Sequence, residues 1–159
     1  MQGEKVMEFS INIKVKRVSE SPGKAMPLPQ YATDGSAGLD LPACLEAPLV
    51  IPPGARVKIP TGMAIDIPNR HIVGLVFPRS GLATRHGISL ANAVGVIDSD
   101  YKGEIIVALC NHGESEYVIK PGERMAQLVF VPVFKATLEE VQELTETGRG
   151  AGGFGSTGK

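Results

Sequence analysis

Nineteen glycines and twelve prolines among 159 residues constrain this chain more than any other feature. Breakers at that density leave no room for long helices and suit many short strands joined by turns. The length is one domain's worth of chain, enough to bury a real core. With 43% hydrophobic residues, 5% aromatic and no tryptophan, that core is expected to be aliphatic.

Charge and cysteine usage narrow the setting. A formal net charge of −1 with no long basic block offers no electrostatic footprint for DNA or RNA. The opening residues, MQGEKVMEF, lack the apolar segment of a signal peptide. The longest apolar run, residues 128–134, is too short to cross a bilayer. Cys44 and Cys110 read as buried free thiols of a cytosolic protein rather than a disulfide. His71, His86 and His112 have no metal-ligand spacing. The expectation is a cytoplasmic protein with neither a nucleic-acid nor a membrane partner.

Alternation marks the strands. Phe9, Ile11, Ile13 and Val15 alternate with polar residues, which predicts a strand with one buried face. Leu39, Leu41 and Ala43 point one way and Asp40 the other; alone, Asp40 reads as a solvent-facing strand residue. Short strands are expected at 57–59, 63–67, 72–77, 105–109 and 117–119, with a long final strand in ERMAQLVFVPVF. Gln127 interrupts the apolar run of that last strand, so it either satisfies backbone groups or meets a ligand. The segment PRSGLATRHG reads as turn-rich and gathers Arg79, Ser80, Gly81, Arg85 and His86. An Arg-Ser-Gly turn offers a guanidinium, a hydroxyl and backbone N–H groups, which suit a phosphate oxygen. Residues 138–144 fit a helical turn or a peripheral strand equally.

The stretch NAVGVIDSDYKGE, residues 92–104, is expected to be a β-hairpin. Its tip carries Asp98, Asp100 and Tyr101 between two apolar strands. In isolation it is an ordinary polar hairpin; placed rigidly, it is a positioned carboxylate of the kind catalysis uses. The chain then ends in TETGRGAGGFGSTGK, with six glycines in residues 145–159, which by composition is a disordered tail. Gly150, Gly152 and Gly155 spell G-x-G-x-x-G, and residues 153–159 spell G-x-x-x-x-G-K. Both phosphate motifs need a strand before and a helix after the glycines, and no helix follows here. As a flexible arm the same glycines, with Arg149, Ser156 and Thr157, can still wrap phosphates, and Phe154 can stack on a base.

Five polar stretches thus occur in a fixed order: SAGLDL, PRSGLA, GVIDSDYKGE, ERMAQLVF and RGAGGFGSTG. Together they resemble the five motifs of the homotrimeric deoxyuridine triphosphatases, the dUTPases. Leu39 stands where the first motif often has tyrosine, a substitution the family also shows. The resemblance implies an all-β, distorted jelly roll over residues 1–144, with a flexible Gly-rich arm at 145–159 closing over an active site. It implies a homotrimer with sites at subunit interfaces, binding dUTP and releasing dUMP. The reaction it implies is hydrolysis of dUTP to dUMP and pyrophosphate by water attack on the α-phosphate with Mg²⁺, which keeps uracil out of DNA and supplies dUMP for thymidylate synthesis.

Carried over by position, Asp98 activates the attacking water, and Tyr101 packs under the deoxyribose where a 2′-hydroxyl would fall. Asn92 and the adjoining backbone of Gly95, Val96 and Ile97 read the uracil edge. Arg79, Ser80, Gly81 and Gln127 hold phosphates, while Asp40 meets a metal-bound water. In the arm, Arg149, Gly152, Gly153, Gly155, Ser156 and Thr157 clamp the terminal phosphate and Phe154 covers the base. Two other readings share the fold: a deoxycytidine triphosphate deaminase, whose third motif differs and which lacks this arm, and a silent trimer that only binds. The joint presence of Asp98, Arg79 and the arm favours hydrolysis.

Overall fold

The final strand organises the rest because it is paired along both edges. A computed structural model describes residues 10–18 and 28–153. In it, β10 (Arg124–Pro132) lies antiparallel between β2 (Leu39–Pro42) and β5 (Ile72–Pro78). β7 (Gly95–Ile97) adds to the far edge of β5, giving the sheet order β2-β10-β5-β7. A second sheet, β1-β4-β8-β6, comprises β1 (Lys14–Arg17), β4 (Arg56–Asp66), β8 (Glu104–Asn111) and β6 (Ile88–Leu90). β3 (Leu49–Ile51) and β9 (Tyr117–Ile119) form a two-stranded ribbon. One short helix, α1 (Ser80–His86), follows β5. This is the expected all-β, distorted jelly roll.

The interior is aliphatic, as the composition requires. Leu41, Ile51, Ile59, Ile105, Leu109 and Ile119 are among its fully buried members, and no aromatic side chain is fully enclosed among the described residues. Both cysteines are buried and free. No described helix is long and apolar enough to cross a membrane.

Several local expectations are corrected. The first strand is confined to Lys14–Arg17 and exposed throughout; Phe9 lies outside the described residues. The two strands expected at 57–59 and 63–67 are one strand, β4, broken by a register shift between Pro60 and Ala64. Gly62 sits in that irregularity at φ 73°, a left-handed conformation open to glycine. The PRSGLATRHG segment is not a string of turns. Arg79 is extended at its start and Gly87, at φ 68°, ends the helix with its N–H on the Ala83 carbonyl. Seven residues burying only Leu82 are too short for helical periodicity to show. Residues 138–144 form neither helix nor strand, and Leu138 and Leu144 are exposed.

The largest correction concerns residues 92–104. They do not form a β-hairpin. β7 pairs with β5 and β8 pairs with β4 and β6, so the two strands belong to different sheets. Alternating apolar residues announce that a strand exists but not which neighbour it takes.

Two polar side chains, Thr61 and Asn111, are fully enclosed in the described structure, and both are satisfied. Asn111 donates to the carbonyls of Ile51 and Ser115, each at 2.8 Å, and accepts the Gly113 N–H at 2.8 Å. It thereby ties β3, the end of β8 and the loop after it. Removing it takes the partner from three backbone groups at once, that of Ile51 buried and those of Gly113 and Ser115 nearer the surface. Asn111→Ala is therefore expected to cost about 2–4 kcal/mol of unfolding free energy in urea denaturation. A loss under about 1 kcal/mol would mean that these bonds do not hold the loop.

Candidate functional site

Two separate clefts gather the residues that the sequence singled out. The register of β10 builds the first. Gln127 lies opposite Asp40 on β2 and opposite Phe77 on β5, and residues directly across a ladder share a face. β5 ends at Pro78, so Arg79, Ser80 and Gly81 enter beside that face. The cleft they line measures about 610 Å³ and also receives Arg85, His86 and Arg124. Gln127 donates to the Pro78 carbonyl at 3.0 Å, satisfying the backbone while its side chain also lines the cleft.

Asp40 is the electrostatic centre of this cleft and not the solvent-facing residue it resembled in isolation. Its two oxygens meet Arg79 Nε at 3.0 Å and Arg124 Nη1 at 2.9 Å, and its side chain is only 16% exposed. Arg79 Nη1 also donates to the Arg124 carbonyl at 3.1 Å. One carboxylate between two guanidiniums leaves positive charge in excess, and Arg85 adds to it. A polyanion suits such a cleft, and the paired arginines are preorganised donors for it.

Sequence reasoning missed Arg124. It lies three positions before Gln127, so a regular strand would put the two on opposite faces. The register shift between Arg124 and Ala126 reverses that parity. No sequence signal singled out Arg124, because the need of Asp40 for two arginines shows only once the strands are in register.

The second cleft, about 240 Å³, opens between β7 and β8. Asn92, Gly95, Val96, Ile97, Asp98 and Tyr101 all line it, with Glu104 and Ile106 opposite. Because β7 and β8 do not pair, the gap between them stays open where a hairpin would have closed it. Asp98 is exposed at the end of β7, and the Tyr101 N–H closes a turn on its carbonyl at 3.1 Å. Lys102 clasps the turn from outside, donating to Ser99 O at 2.7 Å and to Asp66 Oδ1 at 2.6 Å. That hydrogen bond, then the Lys102 charge, holds the Asp66 carboxyl below its usual range.

No residue lines both clefts. Arg149 joins neither; its Nε donates to the Gly152 carbonyl at 2.8 Å within a turn that includes Gly150. Gly153 is exposed and lines neither cleft, whereas Phe154, Gly155, Ser156 and Thr157 lie outside the described residues. Beside the first cleft, His86 packs on Tyr117 with ring centroids 5.0 Å apart. Burial, and then the bond that the phenol donates to Glu123, push Tyr117 up to about 12. No cluster of three His, Cys, Asp or Glu side chains able to ligate a metal occurs among the described residues.

A family model for dUTPase matches residues 24–158. The chain belongs to the dUTPase family. A deoxyuridine 5′-triphosphate nucleotidohydrolase of Desulfitobacterium hafniense is 56% identical over 147 residues, covering 92% of this chain and 97% of its own. One from Acinetobacter baumannii is 54% identical over 149 residues, covering 94% of this chain and 99% of its own. Among solved structures, the Staphylococcus bacteriophage 80alpha dUTPase with dUPNHPP superposes at a TM-score of 0.83. It is 28% identical and covers 94% of this chain and all of its own.

In this dUTPase the first cleft depends on one missing side chain. A Cβ at Gly38 would lie 2.7 Å from Gln127 Oε1 and 3.2 Å from its Cβ, whereas one at Gly35 would meet nothing within 4 Å. Gly38→Ala is expected to displace Gln127 and cut the thermal stabilisation given by inorganic pyrophosphate, with Gly35→Ala as the matched neutral change. Equal stabilisation of both variants would show that Gln127 adjusts without loss.

Proposed function

We propose that this dUTPase hydrolyses dUTP to dUMP and pyrophosphate by water attack on the α-phosphate, at sites that two or more subunits of a homotrimer complete together. One observation carries the reading: a single chain bears a small cleft suited to a nucleoside and a larger cationic cleft suited to a triphosphate, with no residue in common. A nucleotide needs both. Copies arranged by a threefold axis supply both to each site.

In the small cleft, the exposed β7 backbone and Asn92 read the uracil edge, much as an added strand reads a sheet edge. Asp98 orients the attacking water and accepts its proton. The Tyr101 ring lies under the deoxyribose and takes the space of a 2′-hydroxyl. In the large cleft, Arg79, Ser80, Gly81 and Gln127 bind phosphate oxygens, and Arg124 joins them. Bonds to Asp40 and to the Pro78 carbonyl fix Arg79, Arg124 and Gln127 before substrate arrives, so these three need little reorganisation as charge develops in transfer.

Mg²⁺ fits this donor set as a substrate-borne ion. Phosphates supply most ligands of such an ion, which keeps several waters, and the Asp40 carboxylate has lone pairs left to hold one of them. Bound there, it supplies charge neutralisation on the triphosphate. Residues 1–144 form the catalytic body in this reading, and 145–159 form an arm that closes over the site. Its Arg149, Gly152, Gly153, Gly155, Ser156 and Thr157 meet the terminal phosphate and Phe154 covers the base. A cytoplasmic setting accompanies the reading and accords with two buried free thiols.

Pyrophosphate release from dUTP, UTP, dTTP and dCTP is the test. dUTP is expected to react far faster than the other three. Asp98→Asn keeps the side chain's shape without its basicity, so kcat should fall by roughly 10²–10⁴ while a non-hydrolysable dUTP analogue still binds. Comparable kcat/KM for dUTP and UTP, or near-normal turnover by the Asp98 variant, would contradict the reading.

A further inference from the structure

We infer that Glu104 is a positioning residue for sugar selection: it transmits the geometry of the β4 bulge to the Tyr101 ring. The inference rests on the functional reading above, in which that ring excludes a ribose hydroxyl.

The bulge comes first. Its residue Gly62 turns its N–H out of the β4–β8 ladder, and the Glu104 carboxylate accepts it at 2.7 Å. An ionised acceptor makes this a strong bond, and it is partly buried. The Gly62 carbonyl is held as well, by the Val18 N–H at 2.9 Å. One residue along on each strand, the enclosed Thr61 hydroxyl donates to the Ile105 carbonyl at 2.7 Å. The first two residues of β8 are therefore pinned to the bulge through one side chain and one main-chain oxygen.

That pinning reaches the small cleft. The Tyr101 hydroxyl donates to the Glu104 carbonyl at 2.8 Å. The ring folds back closely over Gly103, where a Cβ would lie 2.5 Å from the hydroxyl and 2.7 Å from Cζ. Tyr101 is 44% exposed, so packing alone does not fix its rotamer. Its hydroxyl bond does, and the bond's acceptor is held both by the pairing of Glu104 with Ala64 on β4 and by the grip of the same residue's carboxylate on Gly62.

The other tie of this loop, Lys102 to Asp66, is about half exposed on both partners and correspondingly weak. A wall that excludes one hydroxyl must be stiff, since a small retreat of the ring would admit the larger sugar. Recognition by exclusion is thus set by the Gly62–Glu104–Tyr101 chain of bonds.

The test compares kcat/KM for dUTP and UTP, with melting temperature, in wild type, Glu104→Ala, Glu104→Gln and Tyr101→Phe. Glu104→Ala is expected to lower the dUTP/UTP ratio by at least about tenfold, mainly through faster UTP hydrolysis. Glu104→Gln, whose amide oxygen still accepts from Gly62, is expected to keep the ratio within about twofold. Tyr101→Phe, which keeps an exposed ring but loses the bond, is expected to lose selectivity even if Glu104→Ala does not fold. An unchanged ratio in Glu104→Ala or in Tyr101→Phe overturns the inference, as does equal damage from Gln and Ala at 104. A wild type with no preference for dUTP would instead overturn the functional reading beneath it.

Discussion

The hydrogen bonding of β10 along both edges is the constraint on which the rest depends. It fixes β2 and β5 on either side at one register, with Gln127 between Asp40 and Phe77. Met125, Ala126 and Leu128 bury the opposite needs of the strand in the aliphatic interior. A slip of one residue would turn Leu128 out of the interior and the cleft-lining Gln127 into it, so burial enforces the register. The same register brings Arg79 and Arg124 onto one carboxylate. Core packing and the cationic cleft are two consequences of a single alignment.

The small cleft has a different origin. It exists because the chain crosses between sheets over residues 98–103, leaving β7 and β8 unpaired with each other. The crossing is tied to β4 from outside by Lys102 and from within by Glu104. Irregularities of β4 and β10 therefore serve the clefts directly: one bulge receives Glu104, and the other turns Arg124 toward Asp40. Such departures from regular pairing are common beside functional sites, where they re-aim a side chain.

Much of this was legible in the sequence, for identifiable reasons. Glycine and proline density excluded long helices, and the lack of tryptophan pointed to an aliphatic core. Asn92, Asp98 and Tyr101 fell into one cleft because they sit on one short segment, whereas Asp40, Arg79 and Gln127, far apart in sequence, were grouped only through the ordered motifs and are brought together by the register of β10. What was not legible depended on partners distant in sequence. The apolar residues around 94–97 and 105–107 suggested a hairpin, yet their partners are at 74–76 and 56–64. Arg124 was hidden by a parity that only the bulge corrects. The helix at 80–86 was hidden by its own brevity.

The central claim is that each active site combines the two clefts from different chains. Mixing Arg79→Ala and Asp98→Asn subunits tests it most directly, because each variant alone spoils every site. After co-refolding in equal amounts, with mixed oligomers verified by mass, about a quarter of the sites should receive Arg79 from one chain and Asp98 from another. dUTP hydrolysis should then return to a corresponding fraction of the wild-type rate. Activity no higher than that of the two variants measured separately would mean that both clefts of a site belong to one chain.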